Sequence, residues 1–459
     1  MTKASFMEKT GYGIASLADS ISYNFVGTFF LFFLTTVAGI SPGIAGLIIA
    51  IGSGWNAVFN PVMGYFSDNV STRFGRRRPI ILVSSILLGI MLFVMFTDID
   101  ASSACKPVYY GLMTVLFWSC FTGFFIPYNA LGTDYASSYD ERTSIRSFAS
   151  FFNMIGNMFC MVTPTVIVEF LEHHGMTAAR AWSVTGGFLG VLTTITIIIT
   201  VIVSKNRDLP CEKHDTPETA AHEKKFSLLN IFTEYISVAK LRPMKHLIVA
   251  SLCSLILYTM LMSNMLYFLT YNLGMSAVQI SFCFFLRSAL GIAFIPAAGK
   301  LSAIFDKRIA LIICYLAGMT GMIVLRFAEL HGFGGALIYM FFMSICTTIY
   351  WQIMPSIFYD VCDYDTRVTG KKREAMILSF QGLVEAFAAG IGGQILGITL
   401  QIAGFDGNAA VQTAAALTWI ENSATVLPMI FMVIAIAALY KYPLRREHAH
   451  TEHIEHAKH

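Results

Sequence analysis

Apolar residues run in stretches of about twenty along almost the whole chain, separated by short polar interruptions. About twenty such residues in helical form are long enough to cross the hydrocarbon core of a bilayer. The pattern predicts twelve transmembrane helices, near residues 12 to 37, 42 to 66, 79 to 97, 107 to 131, 146 to 170, 181 to 203, 246 to 272, 277 to 304, 308 to 327, 333 to 359, 375 to 403 and 417 to 440. One long polar stretch, Ser204 to Lys245 with Pro210 and Pro217, divides them six and six. Its segment Phe226 to Ala239 has the spacing of an amphipathic helix lying on a membrane surface. The predicted organisation is a six-helix bundle over 1–203, a cytoplasmic linker over 204–245, a second six-helix bundle over 246–440 and a cytoplasmic His-rich tail over 441–459.

The placement of Lys and Arg tests this count, because basic residues gather in alternate loops on the cytoplasmic side. One side collects Lys3 and Lys9, Arg73 with Arg76 to Arg78, Arg142 and Arg146, the linker, Lys300, Lys307 and Arg308, Arg367 with Lys371 to Arg373, and Lys441, Arg445 and Arg446. Only Lys106, Arg180 and Arg326 fall on the other. An even number of spans with both termini cytoplasmic follows as the expectation.

Composition narrows the function classes. Hydrophobic residues make up 56% of 459 and charged residues 13%, about half the charged share of a soluble domain. Little chain remains for a soluble catalytic domain, and no H-E-x-x-H, G-x-S-x-G or P-loop occurs, so an enzyme is not expected. A net charge of +3 does not imply a nucleic-acid partner. The nine cysteines form no C-x-x-C pair and mostly lie inside apolar runs, which predicts no disulfide, no metal site and no cofactor. The first apolar run lacks a small-residue cleavage site and reads as a retained helix. The tail histidines (His448, His450, His453, His456, His459) read as a solvated tail. The expected partners are a small-molecule substrate and the bilayer of a cell membrane, with the chain a monomer.

The two halves echo each other. Gly64 to Asp68 followed by Arg73 to Arg78 closes the second helix, and Gly299 to Asp306 followed by Lys307-Arg308 closes the eighth. Pro127 and Asp134 recur as Pro355 and Asp360. Parallel six-helix repeats place a binding site near mid-membrane between the halves.

The segment Gly64 to Pro79 resembles the loop signature of the major facilitator superfamily. Gly11-Tyr-Gly13, Asp19, Trp55-Asn56, Asn60-Pro-Val-Met-Gly64, Arg73-Phe-Gly75, Ile126-Pro-Tyr128, Asp140-Glu-Arg142 and Asp360-Val-Cys-Asp363-Tyr-Asp365 through Thr369-Gly-Lys-Lys-Arg373 are similar to the glycoside-pentoside-hexuronide:cation symporters, from about Gly11 to Tyr442. That resemblance implies an all-α fold of twelve helices in two pseudo-symmetric bundles and alternating access, with uptake of a sugar-like solute driven by sodium or protons. It also marks departures. Members of the melibiose type carry two cation-binding aspartates where this chain has Asn56 and Asn60, which supply no negative charge, so a proton is expected before sodium. Asp19 remains at a sugar-contacting position, whereas Phe125, Ala149 and Ala386, beside Glu385, stand where relatives have charged sugar contacts. A more apolar cradle suits a modified glycoside or, alternatively, an amphipathic or anionic solute such as a steroid, lipid or organic acid.

Ionisable residues inside spans are costly and usually line a cavity or pair. Asp19 and Glu385 are therefore candidates for solute binding and cation coupling, along with Asn56 and Asn60 for the cation. Arg287, the one mid-span basic residue, is a candidate for pairing with Glu385 or Asp19 or for an anionic solute. Asn24, Asn129, Asn153 and Gln381 are candidate polar contacts, with interhelical hydrogen bonding as the blander use. Tyr23, Phe125, Tyr128, Tyr350 and Trp351 are candidate aromatic walls, and Ala149 joins them as a cradle position. Asp68, Arg73, Arg77, Asp134, Arg142, Asp360, Asp363 and Arg373 are read as an ionic latch between the halves at the cytoplasmic gate. A non-transporting membrane sensor is the alternative from a different class.

Overall fold

The computed structural model describes residues 5–69, 75, 77–134, 139–206, 236–327, 332–370, 374–407, 409 and 411–444, with the side chains of 68, 69, 133, 134, 139–143, 303, 374, 375 and 379 not described. Among them are twelve helices long and apolar enough to cross a membrane, with mean hydropathies of 1.4 to 2.3. In chain order they are α1 (Phe6–Val37), α2 (Pro42–Ser67), α3 (Arg78–Met95), α4 (Cys105–Gly132), α5 (Ser144–His173), α6 (Ala178–Val203), α7 (Arg242–Asn272), α8 (Ala277–Ser302), α9 (Lys307–Phe327), α10 (Gly332–Thr369), α11 (Met376–Ile402) and α12 (Ala414–Tyr440). A helix satisfies its own backbone groups, which is why apolar runs of this length take that form in lipid.

The helices extend beyond the apolar runs. Helix α1 starts at Phe6, six residues before the predicted start, where Ser5 and Glu8 form a capping box, and α10 continues to Thr369 instead of stopping near 359. Hydropathy marks where lipid ends, but charged turns exposed to water stay helical beyond it. Left-handed glycines at Gly39, Gly175, Gly274, Gly370 and Gly404 stand in or next to the turns that follow α1, α5, α7, α10 and α11.

The internal repeat is visible in local geometry. Both α1 and α7 end in a π-helical turn, Phe33–Val37 and Phe268–Asn272. Prolines interrupt α2 and α8 at Pro61 and Pro296, and α4 and α10 at Pro127 and Pro355. In α12, Pro428 cannot donate to the Ala424 carbonyl, which instead accepts from the Tyr339 hydroxyl at 3.5 Å.

The chain forms two compact units. Unit 1 comprises Met1–Lys213, Met262–Phe285 and Ala389–Ile420. In it α3 and α6 touch backbone to backbone at Gly89 and Gly190, where an added Cβ on Gly190 would stand 2.3 Å from the Gly89 carbonyl oxygen. Small residues of this kind let membrane helices approach closely. Phe25, Phe30, Phe33, Phe96 and Trp182 fill an aromatic core between α1, α3 and α6. Unit 1 also holds a seam in which α1, α2 and α5 meet the 262–285 and 389–420 segments. There Thr35 and Tyr267 share a hydrogen bond of 2.5 Å, Thr165 and Ser281 one of 2.6 Å, and the Gln394 amide donates to the Gly43 carbonyl at 3.4 Å. A cleft of about 250 Å³ lined by Thr35, Ser41, Gln401, Phe405 and Asp406 lies at the same end.

Unit 2 comprises His214–Leu261, Leu286–Ala388 and Glu421–His459. Helix α9 packs on α10 and α12, with Gly318 against Cys346, and the Tyr315 hydroxyl donates to Ser254 on α7 at 2.6 Å. Of the predicted amphipathic helix 226–239, only 236–239 is described, and it is helical; the tail from 445 onward is outside the described residues.

Candidate functional site

Unit 1 gathers the polar candidates of the first half. Asp19 is half-buried on α1, and the Asn153 amide of α5 donates to its Oδ2 at 3.1 Å and to the Ser16 carbonyl at 3.5 Å. Near it, Tyr23 meets Trp118 edge to face at 5.8 Å and lies 6.0 Å from Phe121, which stacks on Phe125 at 5.5 Å. Trp118, Phe121 and Phe125 sit three and four residues apart on α4 and so share one helix face. The sequence reading took Phe125 but passed over Trp118 and Phe121, although this spacing was there to be read. Ring faces beside a carboxylate and an amide suit a solute with polar edges and an apolar face.

Asn56 and Asn60 are one helical turn apart on α2, and their side-chain carbonyls converge on the Thr122 hydroxyl of α4 at 2.9 and 3.1 Å. All three groups are neutral. Thr122 is a residue the sequence reading did not select, because its role depends on the rotation of α4 against α2.

Several candidates stand elsewhere than expected. Tyr128 is 2% exposed; its ring stacks on Tyr12 at 4.7 Å, its hydroxyl bonds Ser16 at 2.7 Å and donates to the Tyr12 carbonyl at 3.1 Å. It is therefore a strut between α1 and α4, not an open wall. Ala149 is buried at 6% exposure. Asn24 donates back to the Ser20 carbonyl at 2.8 Å, and Asn129 donates to the Phe125 carbonyl at 3.0 Å while accepting from Arg146 at 3.1 Å, so both serve packing within unit 1.

In unit 2, Gln381 and Glu385 are half-buried on α11. The Arg287 guanidinium lies 6.0 Å from the Tyr258 ring centre. Tyr258 meets Trp351 at 5.8 Å, and Trp351 meets Tyr350 at 5.4 Å.

Of the gate candidates, Arg73 and Arg373 and the side chains of Asp68, Asp134 and Arg142 lie outside the described residues. Arg77 is buried and donates to the Ala130 carbonyl of α4 at 2.6 Å. Asp360 accepts from Lys307 at 2.6 Å and Asp363 is exposed. Each of these contacts joins helices of a single half, where the sequence reading expected a latch across the halves. Lys307 was missed as Asp360's partner, although it holds the place in the α8–α9 turn that the basic run 76–78 holds after α2.

Residues 11–446 match the family described as MFS/sugar transport protein. The uncharacterised symporter YnaJ of Bacillus subtilis strain 168 is 25% identical over 96% of this chain and 92% of its own length. The putative glycoside/cation symporter YagG of Escherichia coli K12 is 23% identical over 96% of this chain and 93% of its own. Among solved structures, a bacterial homologue of the human lysosomal transporter Spinster, in an inward-facing unoccupied conformation, superposes with a TM-score of 0.70 at 14% identity, covering 95% of this chain and 97% of that one. These matches are to transporters, not enzymes, and the chain belongs to the MFS/sugar transport protein family as a multi-pass transporter of the cell membrane.

Proposed function

We propose that the protein moves a glycoside-like or related small organic solute by alternating access, in symport with a proton, with both termini in the cytoplasm. The observation that carries this reading is the Asp19 cluster: an intramembrane carboxylate hydrogen-bonded to Asn153 beside the Tyr23, Trp118, Phe121 and Phe125 rings. Sugar hydroxyls need charge-assisted acceptors to offset lost hydration, and sugar faces pack on aromatic rings. A relative named as a putative glycoside/cation symporter supports the same substrate class. The proton preference rests on Asn56 and Asn60, whose side-chain oxygens both face the Thr122 hydroxyl without any negative charge, with Asp19 and Glu385 as mid-span carboxylates able to take up a proton. The strongly one-sided Lys and Arg distribution supports the orientation.

Uptake into proteoliposomes under imposed gradients tests both parts. A pH gradient, inside alkaline, is expected to drive accumulation of a glycoside while a sodium gradient alone does not, and Asp19→Asn is expected to abolish uptake. Sodium-driven uptake indifferent to pH would reverse the coupling assignment. Unchanged transport by Asp19→Asn would move the site away from α1. Zero accumulation of every solute under every gradient would favour the sensor reading.

A further inference from the structure

Arg287 stands in the interior of α8, where a charged side chain is costly unless something offsets it. Its Nε is buried without a hydrogen-bond partner, and among the described residues its guanidinium makes no ion pair. The nearest compensation is the Tyr258 face, 6.0 Å from Cζ. A ring face attracts a guanidinium, but it offers no acceptors in the plane of the fork, so the hydrogen-bonding capacity of this group is left over. The backbone at this point is held: the Ser344 hydroxyl of α10 donates to the Arg287 carbonyl at 3.3 Å and to the Met340 carbonyl at 2.7 Å. Tyr258 and Trp351, which meet at 5.8 Å with planes 79° apart, are half-buried and retain free surface.

We infer that Arg287 anchors a monocarboxylate group on the transported solute, with Tyr258 and Trp351 packing against the solute body. The inference rests on the transport reading above and adds the charge of the cargo. A carboxylate matches the planar fork with two parallel hydrogen bonds and supplies the missing counter-charge. The site takes a single negative charge because, among the described residues of unit 2, Arg287 is the one basic side chain in the middle of a span. Within unit 2 the ion pair with Glu385 considered from sequence is not formed, and the guanidinium keeps its hydrogen-bonding capacity for a solute.

The test is counterflow in proteoliposomes of the full chain, comparing 4-nitrophenyl β-glucuronide, the neutral 4-nitrophenyl β-glucoside and the non-sugar anion 4-nitrophenylacetate, alongside thermal shift of purified protein with each probe. In the wild type the glucuronide is expected to saturate at roughly tenfold lower concentration than the glucoside. Arg287→Gln is expected to erase that preference while leaving glucoside exchange, and Arg287→Lys to keep part of it. Equal handling of both glycosides by wild type and Arg287→Gln overturns the anchor and leaves the transport reading intact. Exchange confined to 4-nitrophenylacetate and lost in Arg287→Gln upholds the anchor and removes the glycoside. An Arg287-dependent thermal shift without exchange upholds the anchor and removes transport. Neither shift nor exchange with any anion overturns the anchor. The wild-type preference and the Lys variant keep the test decisive if Arg287→Gln does not fold.

Discussion

The seam of unit 1 and the turns after α2 and α8 join helices in opposite ways. Across the seam the contacts are neutral: Thr35 with Tyr267, Thr165 with Ser281, Ser263 to the Gly27 carbonyl, and glycine backbones pressed together. In the turns the contacts are cationic: Arg77 to Ala130, Arg78 to Val201 at 2.8 Å, Lys307 to Asp360, and Arg308 to the Tyr442 carbonyl at 3.3 Å. The turn contacts repeat with the internal symmetry, since the first pair of cations reaches α4 and α6 and the second reaches α10 and the end of α12. A neutral hydrogen bond contributes about 0.5–1.5 kcal/mol, and one to a charged group about 1.5–3. Through the buried Arg77, the turn after α2 therefore binds its half to itself more strongly than any one neutral contact binds the seam. The proposed alternating access calls for that ordering, because contacts that part on each cycle must be cheaper than those that keep each half intact.

Overpacking the seam is the strongest way to break this comparison. A Cβ on Gly397 would lie 2.4 Å from the Pro42 carbonyl oxygen and 3.0 Å from the Gly46 Cα, both backbone atoms with little room to yield. Gly397→Val is expected to cost the closed seam about 1–3 kcal/mol. That shifts the equilibrium roughly 5–150-fold, read as loss of counterflow and as rapid labelling of Thr35→Cys by an impermeant maleimide. Wild-type transport by Gly397→Val would show that the seam does not open.

An effect of similar size belongs to Arg77, which is 5% exposed. Arg77→Leu removes the charge-assisted bond to the half-buried Ala130 carbonyl and is expected to destabilise the first half by about 1.5–3 kcal/mol, measured as a lower melting temperature of purified protein. Lys307→Met should do less, about 0.5–1 kcal/mol, because the Lys307 and Asp360 side chains keep 34% and 40% exposure and water screens the pair. A larger loss for Lys307 than for Arg77 would invert the ranking drawn from burial. The smallest effect is expected from Tyr267→Phe, which removes the Thr35 contact and keeps the ring against Phe32 at 5.2 Å. It should leave the melting temperature nearly unchanged while shifting the seam equilibrium severalfold, read as a changed counterflow rate, in line with a loss of about 0.5–1 kcal/mol from the seam alone.

Much of this architecture could be read without coordinates. The positions of twelve spans follow from apolar runs, and the paired prolines and turn charges announce the repeat. Helix ends at Phe6 and Thr369 could not be read, because hydropathy reports contact with lipid and the terminal turns have none. Within the candidate site, Asp19 and Arg287 stood out because a charge in a span is rare and costly. Thr122, Trp118 and Phe121 did not, since hydroxyls and rings are common in such helices and gain meaning only from what faces them.

By itself the sequence determined how many times the chain crosses the bilayer and which segments do so, because each helix satisfies its own backbone hydrogen bonds and needs only local apolar length. Which polar groups meet was decided by tertiary structure alone. Asp19 reaches Asn153 across 134 residues, and Asn56 reaches Thr122 across 66. Those meetings depend on the rotation of one packed helix against another, a quantity set by side-chain shape along whole helix faces and by no local pattern.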